Sequence, residues 1–346
     1  MVLRVGMLAP VAWRTPPEHY GPWERVTSLL TEGLVRRGVA VTLFATADSV
    51  TEAELDAVVP HGYEGDRLMD GRVWEALHVA HAIERSGEVD IVHNQMDWLP
   101  LAFSSLWDVP LVTTIHGFSG AGILPAYEAS SSALVSISDS DRSPALDYVA
   151  TVHHGVDAAE LPLVVTPDDY LVSFGRIHPD KGTAQAIEIA WRAGRRLVVC
   201  GIIHDREYFA SQAEPYLDGD CVTFRGSVGA DERAQVLGNA AALLHPIDFD
   251  EPFGLSVVEA MLCGTPVVAY RRGSMPEIID EGVTGRTVTT IGQAVAAVDE
   301  VTVLDRRRIH ERAALRFGVE RMVDDYLRVY EQVLARHART AHRRWA

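Results

Sequence analysis

Residues 250–270 read DEPFGLSVVEAMLCGTPVVAY. A polar loop, a short helix opened by Gly254 and a buried apolar strand follow one another, the repeating pattern of a parallel sheet with helices on its faces. The same turn carries two carboxylates, Glu251 before the helix and Glu259 inside it. The first amides of such a helix, at Gly254, Leu255 and Ser256, have no intrahelical acceptors and lie at the positive end of the helix dipole. They form an anion site, and glycine at 254 lets an anion approach the backbone.

Outward from this turn the alternation continues. In the second half strands are expected at 170–175, 196–201, 221–226, 241–246 and 266–270. In the first half they are expected at 3–9, 39–46, 89–93, 110–116, 133–138 and 148–154, with a helix at 24–38 stopped by Gly38. A polar stretch with Pro162 and Pro167 separates the halves, and from about residue 304 the pattern is helical. The expected fold is α/β: two doubly wound parallel-sheet domains facing a cleft, then C-terminal helices. The expected domains are 1–160 and 161–315, with 316–346 as a last helix packing back on the first.

Composition narrows the function. Against 48 acidic residues stand 31 basic ones, a net charge of −17, which excludes nucleic-acid binding through the general field. Cys200, Cys221 and Cys263 are odd in number, widely spaced and set in apolar stretches, so they are expected as buried thiols of a reducing compartment. MVLRVGMLAP lacks the charged lead and apolar core of a signal peptide, and no apolar run approaches the ~20 residues of a membrane span. A cytoplasmic address is expected. The arginine-rich end, RHARTAHRRWA, reads as a solvated helix end, with weak contact to an anionic membrane surface as the alternative. Of the 31 basic residues one alone, Lys181, is lysine. A compact ammonium is not equivalent to a planar guanidinium, so chemistry at 181 competes with chance survival as the reason.

Neither half has G-x-G-x-x-G or a P-loop after its first strand, which disfavours nicotinamide and P-loop chemistry. The first strand of the second half leads instead into GRIHPDKG, 175–182. Ligands of doubly wound sheets bind beyond the carboxyl ends of the strands, where the candidates fall. Arg176 and Lys181 follow one strand, Gly226 and Ser227 another, His245 and Glu251 a third, and His116 ends a strand of the first half. Arg176, as a fork, and Lys181, as a point charge, suit one diphosphate. Carboxylates accept hydrogen bonds from sugar hydroxyls, so Glu251 suits a hexose and Glu259 a ribose. A sugar nucleotide has this layout. The loop 10–23, with Trp13, Tyr20 and Trp23, and the segment HNQMDW, with Gln95, Asp97 and Trp98, offer aromatic faces and polar groups to an acceptor. His78 and His81 read as a surface or packed pair. No metal is expected, because Arg176, Lys181 and the helix amides can neutralise a leaving diphosphate.

In EPFGLSVVEAMLCGTPV (251–267), GRIHPDKG (175–182) and RRGSMPEII (271–279) the chain resembles the retaining, nucleotide-sugar-dependent glycosyltransferases of family 4, and the resemblance runs over essentially its whole length. It implies two Rossmann-like domains in the GT-B arrangement. It further implies Arg176 and Lys181 on the diphosphate, Glu259 on the ribose, Glu251 on the donor sugar, the Gly254 and Leu255 amides beside them, and Gly226 by the base. His116 would lie close to the transferred sugar, Ser138 would stand in the family's S-x-x-x-R segment, and Gly21 matches the first glycine of its G-G-x-E. Two departures stand out: Pro22 replaces the second glycine and removes an amide, and HGVD at 154–157 replaces N-G-V-D, so no role passes to His154. The expected activity is retaining hexosyl transfer from a nucleoside-diphosphate sugar to an acceptor hydroxyl on a small molecule, oligosaccharide or lipid, with no cofactor. The alternatives are a nucleotide-sugar epimerase, which would need no acceptor, and a sugar-binding protein.

Overall fold

The computed structural model describes residues 2–19, 21–117 and 120–344, with side chains to residue 339. Tyr20, expected on the acceptor side, lies outside them. The chain divides into two units, Met1–Gly155 with Val319–Ala346, and Val156–Gly318. The junctions thus fall at 155/156 and 318/319, against the expected 160/161 and 315/316.

In the first unit β1 (Arg4–Leu8), β2 (Ala40–Thr46), β3 (Glu54–Val59), β4 (Ile91–Asn94), β5 (Leu111–Ile115), β6 (Ala133–Ser136) and β7 (Tyr148–Thr151) pair in the order β3-β2-β1-β4-β5-β6-β7. All pairs are parallel. Helices α1 (Pro22–Arg36), α2 (Gly71–Arg85) and α3 (Leu124–Glu128) connect them. Pro22 occupies the first position of α1, where an N–H would have no intrahelical acceptor, and Val26, Leu30 and Leu34 are buried at four-residue spacing. His78 on α2 is buried with Nε2 at 3.1 Å from Ala9 O, while His81 pairs with Asp56 at 2.7 Å.

In the second unit β8 (Tyr170–Phe174), β9 (Arg196–Cys200), β10 (Val222–Gly226), β11 (Ala242–His245), β12 (Val267–Tyr270) and β13 (Gly285–Val288) pair in the order β10-β9-β8-β11-β12-β13, again parallel throughout. Its helices are α4 (Thr183–Arg192), α5 (Arg206–Tyr208), α6 (Ala230–Asn239), α7 (Leu255–Leu262), α8 (Met275–Ile278), α9 (Ile291–Val301) and α10 (Arg306–Phe317). Leu171, Leu197, Val199, Leu244 and Val268 from the strands pack with Ile187 and Val298 from α4 and α9. The last helix, α11 (Val319–Arg344), belongs to the first unit, where it packs on α1. No helix among the described residues is long and apolar enough to cross a membrane.

Two strands, β3 and β13, were not expected. Each is at an edge of its sheet, and neither ELDAVV nor GRTV carries the continuous apolar run of a central strand. Cys221, expected to be buried, is exposed, unlike Cys200 and Cys263. It precedes edge strand β10 in a turn where the Asp218 carboxylate accepts the amides of Asp220 and Val222 at 3.0 and 2.9 Å.

A buried arginine closes the second unit. Arg306, first residue of α10, donates to Ala240 O at 3.0 Å, to Thr265 Oγ1 at 2.7 Å, and to Val164 O and Gly238 O. Burial pushes its guanidinium down to about 10, so it stays charged at neutral pH. Replacing it leaves several buried acceptors without a donor. Arg306→Met is expected to lower the unfolding free energy by about 3 kcal/mol in urea titrations, against less than ~1 kcal/mol if water can replace the guanidinium.

Candidate active site

Strand order in the second unit reverses between β8 and β11, so the chain leaves these two neighbours in opposite directions and opens a crevice at their carboxyl ends. GRIHPDKG leaves β8, and the loop 246–254 leaves β11. The Asp248 amide ties the two together by donating to Asp180 O at 2.7 Å. Lys181 Nζ then lies 2.7 Å from Glu251 Oε2 and 4.4 Å from the centre of the Phe249 ring. His245 Nε2 reaches the same oxygen at 3.5 Å, too long for a well-formed hydrogen bond, and is otherwise unpartnered. Burial pushes the Glu251 carboxyl up, but the His245 ring and the Lys181 ammonium more than offset it and hold the group at about 2. Burial also lowers His245, which is neutral at pH 7.

The third motif braces this carboxylate from behind. Gly273 has φ +52°, and a Cβ there would stand 2.3 Å from both the nitrogen and the oxygen of Glu251. Glycine alone permits that approach, which lets Ser274 donate its amide to Glu251 O and its hydroxyl to Phe253 O, both at 2.9 Å. At the head of α7, Gly254 is left-handed at φ +88°. Its carbonyl accepts the amides of Val257 and Val258, while among the described residues the amides of Gly254, Leu255 and Ser256 find no protein acceptor. Glu259, farther along α7, is buried with Oε1 at 3.3 Å from Arg233 Nη1. Arg176, two residues past the end of β8, has no ion pair or side-chain hydrogen bond among the described residues. Gly226 ends β10 and accepts the Gly201 amide at 2.8 Å, and Ser227 follows it on the surface.

In the first unit the reversal lies between β1 and β4. The loop after β1 is fixed by the Trp13 amide, which donates to the Glu24 carboxylate at 3.3 Å; burial pushes that carboxyl up to about 7. Gly21 forms the cap of α1. After β4, Asp97 has φ +67°, its carboxylate accepts from the Tyr127 hydroxyl, and Trp98 is 42% exposed. After β5, His116 is buried: Nε2 lies 2.7 Å from Gln95 Oε1, and the ring stacks on Trp23 with centroids 5.1 Å apart and planes at 18°. Gln95, read from sequence as an acceptor contact, and Ser138, of the S-x-x-x-R segment on the same side, are both buried; Ser138 Oγ accepts the Asp141 amide at 3.2 Å and so caps its own turn. Among the described residues of the acceptor set, Trp98 is the exposed one.

The model of the group 1 glycosyl transferases matches residues 162–314, and that of glycosyltransferase family 4 matches 23–160. The chain belongs to the family 4 glycosyltransferases. Glycogen synthase of Mycobacterium tuberculosis is 26% identical over 91% of this chain and 90% of its own. Among solved structures, a glycosyltransferase involved in avilamycin A biosynthesis has a TM-score of 0.76 and 24% identity over 96% and 98% of the two chains. HepE of Anabaena, solved with UDP-glucose, has a TM-score of 0.69 and 17% identity over 95% and 100%. These structures share the GT-B fold with the chain.

Sequence alone did not single out Arg233 in this glycosyltransferase. It is one arginine on a charged helix, and nothing local shows that α6 turns it toward Glu259. The Glu251 pairing has a measurable consequence. Its pKa is depressed on folding, so its contribution to stability is present above the ordinary carboxylate range and lost as pH falls toward 2. Urea titrations of wild type and Glu251→Gln are expected to differ in pH dependence by about 3 kcal/mol between pH 5 and 2. Parallel curves would show that the pairing does not exist in solution.

Proposed function

We propose that this glycosyltransferase moves a hexosyl unit from a nucleoside-diphosphate sugar to an acceptor hydroxyl, with retention at the anomeric carbon and without a metal ion. The observation that carries the proposal is the pairing of Lys181 with Glu251 at the β8/β11 reversal, in the same turn as the open amides of Gly254–Ser256, with Arg176 following β8 in sequence. Two cations and a helix N-terminus match a diphosphate, and a carboxylate next to them matches a sugar hydroxyl. The likeness to HepE, solved with UDP-glucose, supports a nucleotide-sugar donor.

In this reading Lys181 changes partner on binding. The diphosphate carries more negative charge than one carboxylate and takes the ammonium from Glu251, whose oxygens then accept from the hexose. Arg176 has no competing acceptor to give up. Glu259, steadied by Arg233, accepts from the ribose hydroxyls, and Gly226 and Ser227 border the base. In the transfer step the bond from the anomeric carbon to the diphosphate oxygen breaks, and the acceptor oxygen bonds to that carbon on the same face. The acceptor proton passes to the departing oxygen. Negative charge grows on the diphosphate, where fixed donors lower the barrier. These cations and amides supply the charge that a divalent ion would otherwise provide, and the nucleotide donor suits a cytoplasmic setting.

Lys181→Ala is expected to lower turnover by about 10² to 10³, or about 3 to 4 kcal/mol in the transition state; activity within tenfold of wild type would remove Lys181 from the phosphate site. The donor is identified by thermal unfolding with UDP, GDP, dTDP and ADP and their sugars in the presence of EDTA. Ligand at ~100 times its dissociation constant adds about 2.7 kcal/mol. A shift with one base names the nucleotide; no shift with any, or a shift abolished by EDTA, contradicts the proposal.

A further inference from the structure

His116 is one end of a run of buried hydrogen bonds that reaches α11 within the first unit. Gln95 Nε2 lies 3.1 Å from His93 Nε2 and 3.8 Å from Met7 Sδ. His93 Nε2 is also 2.8 Å from Thr114 Oγ1, and its Nδ1 is 2.7 Å from the Tyr330 hydroxyl. Thr114 Oγ1 in turn lies 2.7 Å from the Tyr326 hydroxyl. Beyond His116, its Nδ1 faces His154 Nε2 at 3.4 Å.

Donor and acceptor chemistry, with the contact distances, orders this run. A thioether never donates, so the Gln95 amide nitrogen faces Met7 and its oxygen faces His116. An amide oxygen only accepts, so His116 carries its proton on Nε2, and His154 Nε2 must donate to the bare Nδ1. The Gln95 amide nitrogen only donates and lies nearer His93 Nε2 than Nδ1, at 3.1 against 3.5 Å, which assigns the bare nitrogen to Nε2, its one lone pair shared between Thr114 and Gln95. His93 therefore carries its proton on Nδ1 and donates to Tyr330, and Thr114 accepts from Tyr326.

We propose that Gln95 is the positioning residue that holds His116 as a neutral Nε2–H tautomer, and that α11 fixes Gln95 through Tyr330 and Tyr326 acting on His93. Gln95 suits this place because one amide accepts from one histidine and donates to the other; a carboxylate or a hydrocarbon of the same size does not. With both ring nitrogens engaged, His116 is a fixed neutral ring against Trp23 that neither takes up nor releases a proton. Burial supports the neutral state, lowering both His93 and His116 to about 3. The charged groups beside the cluster, Arg321 and Asp325 on α11, pair with each other at 2.6 Å, and Arg321 also donates to His153 O and His154 O.

Nitrogen-15 NMR of the full chain labelled at histidine reads the tautomers directly. His116 and His154 are expected as Nε2–H and His93 as Nδ1–H, all unchanged from pH 5.5 to 8, with assignment from single His→Asn variants. His116 found as Nδ1–H, or doubly protonated in that range, overturns the proposal. Tyr330→Phe keeps the ring and removes the hydroxyl. It is expected to lower kcat about tenfold with the donor KM within twofold, and to shift the His93 resonance in the wild-type assignment. An unmoved His93 signal with unchanged kcat would make Tyr330 a packing residue only and refute the role of α11. The kinetic arm rests on the proposed transfer reaction, whereas the tautomers do not: failed transfer with the expected tautomers refutes that reaction and leaves this arrangement standing.

Discussion

An ammonium and a carboxylate 2.7 Å apart and mostly out of water set the geometry of the turn at the β8/β11 reversal. Neither Lys181 nor Glu251 is well placed alone, since removing one partner leaves a largely desolvated charge in the crevice. The surroundings are arranged to keep the pair together. The amide of Asp248 joins the two loops, and Gly273 lets the 271–279 segment lie against the Glu251 backbone. Such a pair is a poor device for stability, because an apolar pair of similar volume often does as well. It leaves both charges stripped of most of their water at one strand-end crevice, where, on the proposed function, an incoming anion meets a prepared cation.

The two units handle buried polarity in contrasting ways. In the second, ions meet ions, as in Lys181 with Glu251 and Arg233 with Glu259, and the arrangement responds to any new charge that enters. In the first, three neutral imidazoles, an amide and three hydroxyls complete one another without formal charge. A fully satisfied neutral network has one low-energy arrangement and responds little to pH or salt. An ion cluster adapts to a ligand, and a neutral network resists one.

What could be read from the sequence followed from local pattern. The turn at 250–270 specifies a loop, a helix and a strand within a few residues, and its glycines and carboxylates single out a candidate site without tertiary knowledge. The central strands were legible for the same reason, since each is apolar on both faces. The edge strands β3 and β13 were not, because one side of each meets solvent and their composition reads as loop. The exposure of Cys221 depends on its position beside such an edge. Pairings over long separations were invisible: Lys181 and Glu251 are 70 residues apart, and His93 and Tyr330 are 237 apart. Gln95 illustrates the limit most clearly. Its residue type and place after a strand suited an acceptor contact, and only the positions of Met7, His93 and His116 turn it inward.

The solitary lysine has a consequence beyond electrostatics. The chain has a single side-chain amine, and it lies against Glu251 with 18% of its side-chain surface open. Acylation, glycation or cross-linking of lysine therefore has one address on this chain, against Glu251 at the β8/β11 reversal. The arginine-covered exterior offers no second one.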